Sequence, residues 1–414
     1  MRLTLINQFY APDLAPTGHM ATSLATHRAS NGDRVTVITS TGGYVSETRI
    51  QSKSPQTNPQ VFRLWTPRLG KAHKFNRILD YTAFYLLAAV RMLFLPRQDV
   101  IISLTTPPFI AWTAILHKWL HPATRIVLWN MDCYPEIAER TGVIAEGGWL
   151  SRVLRALNRQ LFKRLDAVVC LDRAMHDLLQ AHYGQGHCSP KFQIIPNWEA
   201  ITQFPAGLTP PPWADDPTVD LESPFTIIYL GNAGFGHRFE TVVEAAEQLK
   251  DDPFIFLFVG GGQKWTWLAD AVKTRGLENV ILRPYVPKET TPAVMATADC
   301  ALITMTNEAL GLISPSKLHA NLAMQLPILY IGPEHSNIDE AIQTYGFGLS
   351  LRHGDVSAMV KYLRKLRNDV PFHVQHRKAA RQAFEEAFCD TQTLPQFDQL
   401  LNSLTTDTDR GFPT

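Results

Sequence analysis

The chain has 414 residues, 45% of them hydrophobic and 19% charged, with a formal net charge of +1. That length implies two or three domains with cores of their own, and the composition is ordinary for a soluble globular protein. Five cysteines (Cys133, Cys170, Cys188, Cys300 and Cys389), an odd number with no C-x-x-C pair, argue against a disulfide framework or zinc site and for a reducing compartment.

In chain order, Arg2–Asn7 reads as a first strand rather than a signal peptide. A loop holding Pro16-Thr17-Gly18 follows, then a helix over Met20–Ser30 and a strand over Arg34–Thr39, which together make a βαβ unit. The most apolar stretch, Ile78–Leu95, is interrupted by Asp80 and Arg91 and falls short of the ~20 residues a spanning helix needs. Further strands are expected at Val100–Leu104, Arg125–Trp129, Ala167–Leu171 and Gln193–Ile195. Six prolines and three aspartates mark 199–224 as an extended linker or surface loop. A second α/β run then starts. Its strands are Phe225–Leu230, Phe254–Val259, Val280–Leu282, Cys300–Ile303 and Ile328–Ile331, and its helices Phe239–Lys250 and Trp265–Arg275. Val374–Phe388 and Leu394–Leu404 read as helices, with the last ten residues a tail. Two successive parallel α/β domains would offer the C-terminal ends of their strands to ligands.

Charge is uneven along the chain. From Arg63 to Arg164 there are fifteen Lys/Arg against six Asp/Glu, a net of +9, so the remainder carries −8 of the overall +1. A basic half suits a phosphorylated substrate, an anionic membrane surface or nucleic acid. Two segments concentrate it. In Trp149–Leu165 the apolar residues Leu150, Val153, Leu154, Leu157 and Leu161 have helical spacing, with Arg152, Arg155, Arg159 and Lys163 mostly opposite. Arg68–Arg97 mixes Lys71, Lys74 and Arg77 with Tyr81, Phe84 and Tyr85. Both could lie on an anionic bilayer, or pack as ordinary surface helices on a sheet.

Several strand ends carry chemistry. Pro315-Ser316-Lys317-Leu318 reads as a helix start, where free backbone N–H groups, a serine and a lysine suit a phosphate, or serve as an ordinary cap. Gly231-Asn232-Ala233-Gly234-Phe235-Gly236-His237 follows the first strand of the second run and would let a phosphate approach the backbone; a tight turn is the alternative. Gly260-Gly261-Gly262 and Arg283-Pro284-Tyr285-Val286 stand at two further strand ends. In the first half, Asn130-Met131-Asp132-Cys133-Tyr134-Pro135-Glu136 gathers two carboxylates, an amide and a phenol, and Asp132 could accept a substrate hydroxyl, act as a base, or form an Asx turn. Thr105-Thr106 ends the neighbouring strand. No metal motif stands out: there is no H-E-x-x-H, and the only D-x-D is Asp407-Thr408-Asp409 in the expected tail.

Taken in order, NQFYAPDLAPTGHMATSLA, TTPPF, WNMDCYPEIAERTGV, IIPNW, YLGNAGFGHRFETVVEAA, FLFVGGG, GLENVILRPYVP and GLISPSKLHANLAMQLPILYIGP resemble a GT-B glycosyltransferase of the GT4 type, in the bacterial exopolysaccharide and O-antigen branch with a P-S-K-L motif. The resemblance implies two Rossmann-like domains facing an interdomain cleft. It gives an acceptor-binding domain over 1–198, a linker over 199–224 and a nucleotide-sugar-binding domain over 225–388. A C-terminal helix and tail over 389–414 would cross back to the first domain. It implies retaining transfer of a hexosyl or N-acetylhexosaminyl group to a lipid-linked saccharide, without a metal or other cofactor and without nucleic acid. Such a protein would work in the cytoplasm, on the inner face of an anionic membrane. The donor would lie against Gly18, Asn232, Gly234, Gly261, Tyr285, Val286, Pro315, Ser316 and Lys317, and the acceptor against Thr105, Thr106, Asp132, Tyr134 and Glu136. Asp132, His237 and Lys317 are the candidate catalytic residues. The Glu-x7-Glu motif of the wider family is missing: its positions hold Leu312 and Ala320. That departure leaves two other readings, a non-catalytic partner in a polysaccharide assembly complex and a nucleotide-sugar epimerase.

Overall fold

A computed structural model describes residues 1–13, 15–41, 58–67, 74–184, 190–203 and 224–406, with backbone alone for 74–78. Most of the expected linker, Cys188, Arg68, Lys71, the side chains of Lys74 and Arg77, and the Asp407–Asp409 motif lie outside the described residues. The chain divides into two compact units: Met1–Pro196 with Gly311–Ile313 and the residues from Leu394 onward, and Asn197–Leu310 with Ser314–Thr393.

The first unit contains seven strands: β1 (Arg2–Ile6), β2 (Arg34–Ser40), β3 (Gln60–Leu64), β4 (Val100–Leu104), β5 (Arg125–Trp129), β6 (Ala167–Cys170) and β7 (Lys191–Ile194). They form one sheet in the order β3-β2-β1-β4-β5-β6-β7, and every neighbouring pair is parallel. Parallel strands need helical crossovers that cover both faces of the sheet. VIISL in β4 and AVVC in β6 are therefore buried along their whole length and read as continuous apolar runs rather than alternating ones. The crossovers are α1 (Pro16–Ser30), α2 (Lys74–Leu93), α3 (Ala111–Leu120), α4 (Glu136–Arg140), α5 (Trp149–Phe162) and α6 (Arg173–Tyr183).

Two expectations are corrected here. Gly18 lies inside α1 rather than in a loop, because Pro16 takes the first helical turn, where its missing N–H has no partner to lose. A Cβ on Gly18 would stand 3.2 Å from the backbone of Phe9 and Tyr10, so glycine lets the helix start pack against the loop after β1. Second, α5 packs through only one end of its apolar set. It buries Ser151, Asn158, Leu161 and Phe162 and turns Leu150, Val153 and Leu157 outward.

The helix α14 (Asp390–Thr406) belongs to the first unit from Leu394 onward. Phe397 meets Trp129 at a tilt, with ring centroids 4.7 Å apart. Asp398 accepts hydrogen bonds from Arg28 (2.6 Å), and its other oxygen meets His27 Nε2 at 2.9 Å. Phe397 is fully buried, so Phe397→Ala is expected to destabilise this unit by about 3–5 kcal/mol, the usual range for emptying a phenylalanine site. Denaturant unfolding followed by intrinsic tryptophan fluorescence would measure it.

The second unit contains β8 (Phe225–Asn232), β9 (Phe254–Gly261), β10 (Val280–Arg283), β11 (Cys300–Thr304), β12 (Ile328–Ile331) and β13 (Gly348–Leu351). These also pair in parallel, in the order β10-β9-β8-β11-β12-β13. Helices α7 (Glu240–Gln248), α8 (Trp265–Arg275), α9 (Thr291–Ala296), α10 (Lys317–Ala323), α11 (Asn337–Tyr345), α12 (Val356–Asn368) and α13 (Val370–Ala383) connect and cover them, and α13 runs on into a π-helical turn at Phe384–Phe388. Its core is aromatic. Tyr229, Phe239 and Phe258 meet edge to face or tilted, with centroids 5.0–5.7 Å apart.

Both sheets reverse direction at one point. The chain winds outward from β1 to β3 and returns to β4, and winds outward from β8 to β10 and returns to β11. Where neighbouring strands lead their connections to opposite sides, a crevice opens at their C-terminal ends. In the first unit that crevice lies beyond β1 and β4, and in the second beyond β8 and β11.

Candidate active site

Beyond β8 the chain passes through Gly231, which has φ +125°, and Asn232 into the loop that ends at His237. Lys317, the first residue of α10, reaches back over this loop. Its ammonium lies 3.3 Å from His237 Nε2 and 5.0 Å from the centre of the Tyr229 ring. A Cβ on Gly231 would stand 3.1 Å from Lys317 Cε, so the absent side chain is what the lysine stem occupies. His237 is buried, and its Nδ1 lies 2.7 Å from the Thr304 carbonyl at the end of β11. That contact fixes Nδ1 as the donor and leaves Nε2 to accept from the lysine. Burial, reinforced by the Lys317 charge, holds the imidazole at a pKa of about 3. His237 is therefore a neutral acceptor, not a solvated histidine and not a second cation. Burial likewise lowers Lys317 to about 8.

The other expected donor residues stand as follows. Tyr285 is exposed past the end of β10, and its hydroxyl donates to Asn232 Oδ1 at 3.3 Å. Gly261 ends β9 beside the same tyrosine ring. Gly234 lies close to the Asn232 amide, and Val286 follows Tyr285 half-buried. Pro315 is buried, and Ser316 is exposed with no side-chain cap on α10. The second unit thus brings Gly231, Asn232, His237, Tyr285 and Lys317 to the β8/β11 end of its sheet. Gly18 belongs to the other unit. Sequence reasoning missed Thr304 and Tyr229, the two residues that trap His237 and Lys317. Their positions at a strand end and inside a strand carried no motif.

In the first unit, Thr105 at the end of β4 accepts hydrogen bonds through Oγ1 from the backbone N–H groups of Met131 (3.1 Å) and Asp132 (3.2 Å). Asp132 also makes an antiparallel bridge to Ile313, and the Cys133 N–H donates to Leu312 at 3.1 Å. Asp132 lines a small recess together with Thr105, Phe109, Asn130, Tyr134 and Asn158. Burial pushes its pKa up to about 6. Thr106 uses its carbonyl to accept from Gln8 N–H at 2.8 Å, which ties the ends of β1 and β4 together.

Glu136 does not join the recess. It is buried behind it, where Oε1 accepts from the Tyr183 hydroxyl (2.7 Å) and meets His182 Nδ1 at 3.1 Å, with Arg155 3.7 Å away. Its place there is to tie α4 to α5 and α6. Two residues overlooked in the sequence, Asn7 and Gln8, follow β1 at the switch point. Asn7 Oδ1 and Gln8 Oε1 are buried without a hydrogen-bond partner among the described residues. Among those residues, no three His, Cys, Asp or Glu side chains gather to hold a metal ion, and no helix is long and apolar enough to cross a membrane.

Residues 17–198 match the glycosyl transferase 4-like domain, and residues 215–383 match the domain of glycosyl transferases group 1. The chain is similar to an Escherichia coli (strain K12) protein that carries the name colanic acid biosynthesis glycosyl transferase WcaI, with 25% identity across 96% of this chain and 98% of that one. It is similar to the glycosyltransferase WbjE of Pseudomonas aeruginosa, with 25% identity across 76% of this chain and 77% of that one. In fold it resembles Anabaena Alr3699/HepE, solved in complex with UDP-glucose, with a TM-score of 0.69 at 12% identity over 97% of this chain and 100% of that one.

Proposed function

Because the chain belongs to the glycosyl transferases group 1 family and joins that domain to a glycosyl transferase 4-like domain, we propose that it is a retaining glycosyltransferase of bacterial cell-surface polysaccharide synthesis. In this reading it moves a hexosyl or N-acetylhexosaminyl group from a nucleotide sugar to a lipid-linked saccharide at the inner face of the cytoplasmic membrane. The relatives named for colanic acid synthesis and glycosyl transfer support the pathway class. The observation that carries the reading is Lys317, held by His237 over the glycine turn at the β8/β11 switch point.

The chemistry follows from the residues. The donor diphosphate lies on the backbone after β8, with Asn232 and Tyr285 on its nucleoside side and Lys317 at the leaving oxygen. As the C1–O bond to phosphate breaks, negative charge grows on that oxygen, and the ammonium stabilises it in place of a metal ion. No further cofactor is called for, since the nucleotide sugar is the co-substrate. The acceptor hydroxyl lies in the recess against Asp132, attacks C1 on the face the diphosphate leaves, and gives its proton to the carboxylate. A carboxyl group with a pKa of about 6 is ionised at neutral pH yet basic enough to take that proton. Thr105 keeps Asp132 in place through two backbone hydrogen bonds.

A thermal-shift screen against UDP-, GDP-, TDP- and CMP-sugars tests the donor half. A ligand that binds only the folded state raises Tm, so one nucleotide class is expected to stabilise the protein, with the shift reduced in Lys317→Ala. No shift with any nucleotide sugar would contradict the reading.

A further inference from the structure

The face of α5 that packs on the protein combines Leu161 and Phe162 with a hydrogen-bonded polar set. Ser151 donates to Glu139, Arg155 pairs with Glu139 at 2.5 Å, and Asn158 Nδ2 donates to the Tyr134 carbonyl at 2.7 Å. Four apolar residues of α5 face out: Trp149 is 77% exposed, Val153 46%, Leu157 44% and Leu150 38%. These four share one stripe at helical spacing. Arg152, Arg159 and Lys163 follow one another at seven- and four-residue steps along the flank of that stripe, all exposed. Leaving such a stripe in water is unfavourable, and a hydrogen-bonded anchor holds it there. An apolar stripe beside a cationic row, with a tryptophan at one end, matches the boundary between lipid headgroups and acyl chains.

We infer that α5 is an interfacial helix that seats Trp149, Leu150, Val153 and Leu157 in an anionic bilayer. The same helix supplies Asn158, Leu161 and Phe162 to the wall of the recess that holds Asp132. Docking through α5 therefore brings the acceptor recess to the membrane surface. A lipid-linked saccharide reaches Asp132 along this helix while its lipid stays in the bilayer. This inference rests on the lipid-linked reading of the acceptor given above.

The test uses the full chain and sedimentation with vesicles of mixed phosphatidylglycerol and phosphatidylcholine or of phosphatidylcholine alone. The wild-type protein is expected to bind the anionic vesicles, and lipids brominated in the acyl chains are expected to quench a fluorescence component that Trp149→Phe lacks. The double variant V153S/L157S changes only outward-facing residues and is expected to lose vesicle affinity by at least about tenfold. Its melting shift with donor nucleotide should match the wild type. The inference is overturned by equal binding to neutral vesicles, by unchanged binding of V153S/L157S, or by sedimentation showing that the stripe joins two copies of the chain that V153S/L157S separates. A retained donor shift with no vesicle binding would sink this inference alone. Loss of the donor shift in the wild-type protein would instead strike the reading of the function.

Discussion

Asp132→Asn is expected to lower kcat by about 10²–10⁴-fold while leaving nucleotide-sugar affinity nearly unchanged, since it removes a proton acceptor and no group assigned to the donor. Geometry and electrostatics both support this. Asp132 lines the recess, Thr105 fixes its backbone N–H, and burial raises its carboxyl pKa to about 6. The wild-type rate should therefore rise with pH through about 6 and level above it. The same burial makes a stability prediction of opposite sense. The fold favours the neutral carboxyl, so ionised Asp132 destabilises the native state, fully so above pH 6 and not at all below the ordinary value of 3.8. Asn carries no charge to desolvate, so Asp132→Asn should raise Tm at pH 7, and the gain should fade as pH drops toward 3.8. A variant that loses turnover and Tm together has merely lost its fold. An unchanged kcat removes Asp132 from the mechanism.

Lys317→Ala is expected to weaken nucleotide-sugar binding by about 1–3 kcal/mol, or roughly 5- to 150-fold, the size of a charge-assisted hydrogen bond. Calorimetry would read it directly. The pH dependence identifies the group. Lys317 has a pKa of about 8 because its surroundings desolvate the ammonium and His237 beside it stays neutral. Below pH 8 the lysine already carries its charge. Above pH 8 it must take up a proton as it meets the diphosphate, so donor affinity should fall by up to tenfold per unit. In Lys317→Ala that slope should vanish. A wild-type affinity that is flat from pH 7 to 9, or an alanine variant of full affinity, would remove Lys317 from the donor site.

How much of this was legible in the sequence depended on what each residue faces. Ile328–Ile331 and Val100–Leu104 read correctly because strands covered on both sides are plain apolar runs. Edge strands β3 and β13 went unread: QVFRL and GLSL are half-buried and carry no such run. The stripe on α5 was visible, but its direction was not. A helical period separates two faces without saying which one the neighbours can satisfy, and here Glu139 and the Tyr134 carbonyl, residues of a different element, recruit the polar one. The Gly231–His237 turn and Lys317 were both recognised as phosphate-friendly. Their partnership was not, because Thr304 and Lys317 lie 67 and 80 residues beyond His237 and only the β8–β11 pairing unites them. Glu136 misled for the same reason. A carboxylate four residues past Asp132 looks like a second acceptor group until Tyr183 and His182 are seen to hold it away.

The most direct measurement is transfer itself. Purified protein would be incubated with each nucleotide sugar and polyprenyl-linked saccharide acceptors, and the product's anomeric configuration read by NMR. The account predicts sugar transfer from one nucleotide class with the donor's configuration retained, abolished or nearly so in Asp132→Asn. Neither transfer nor nucleotide release with any donor, or a product of inverted configuration, would contradict it.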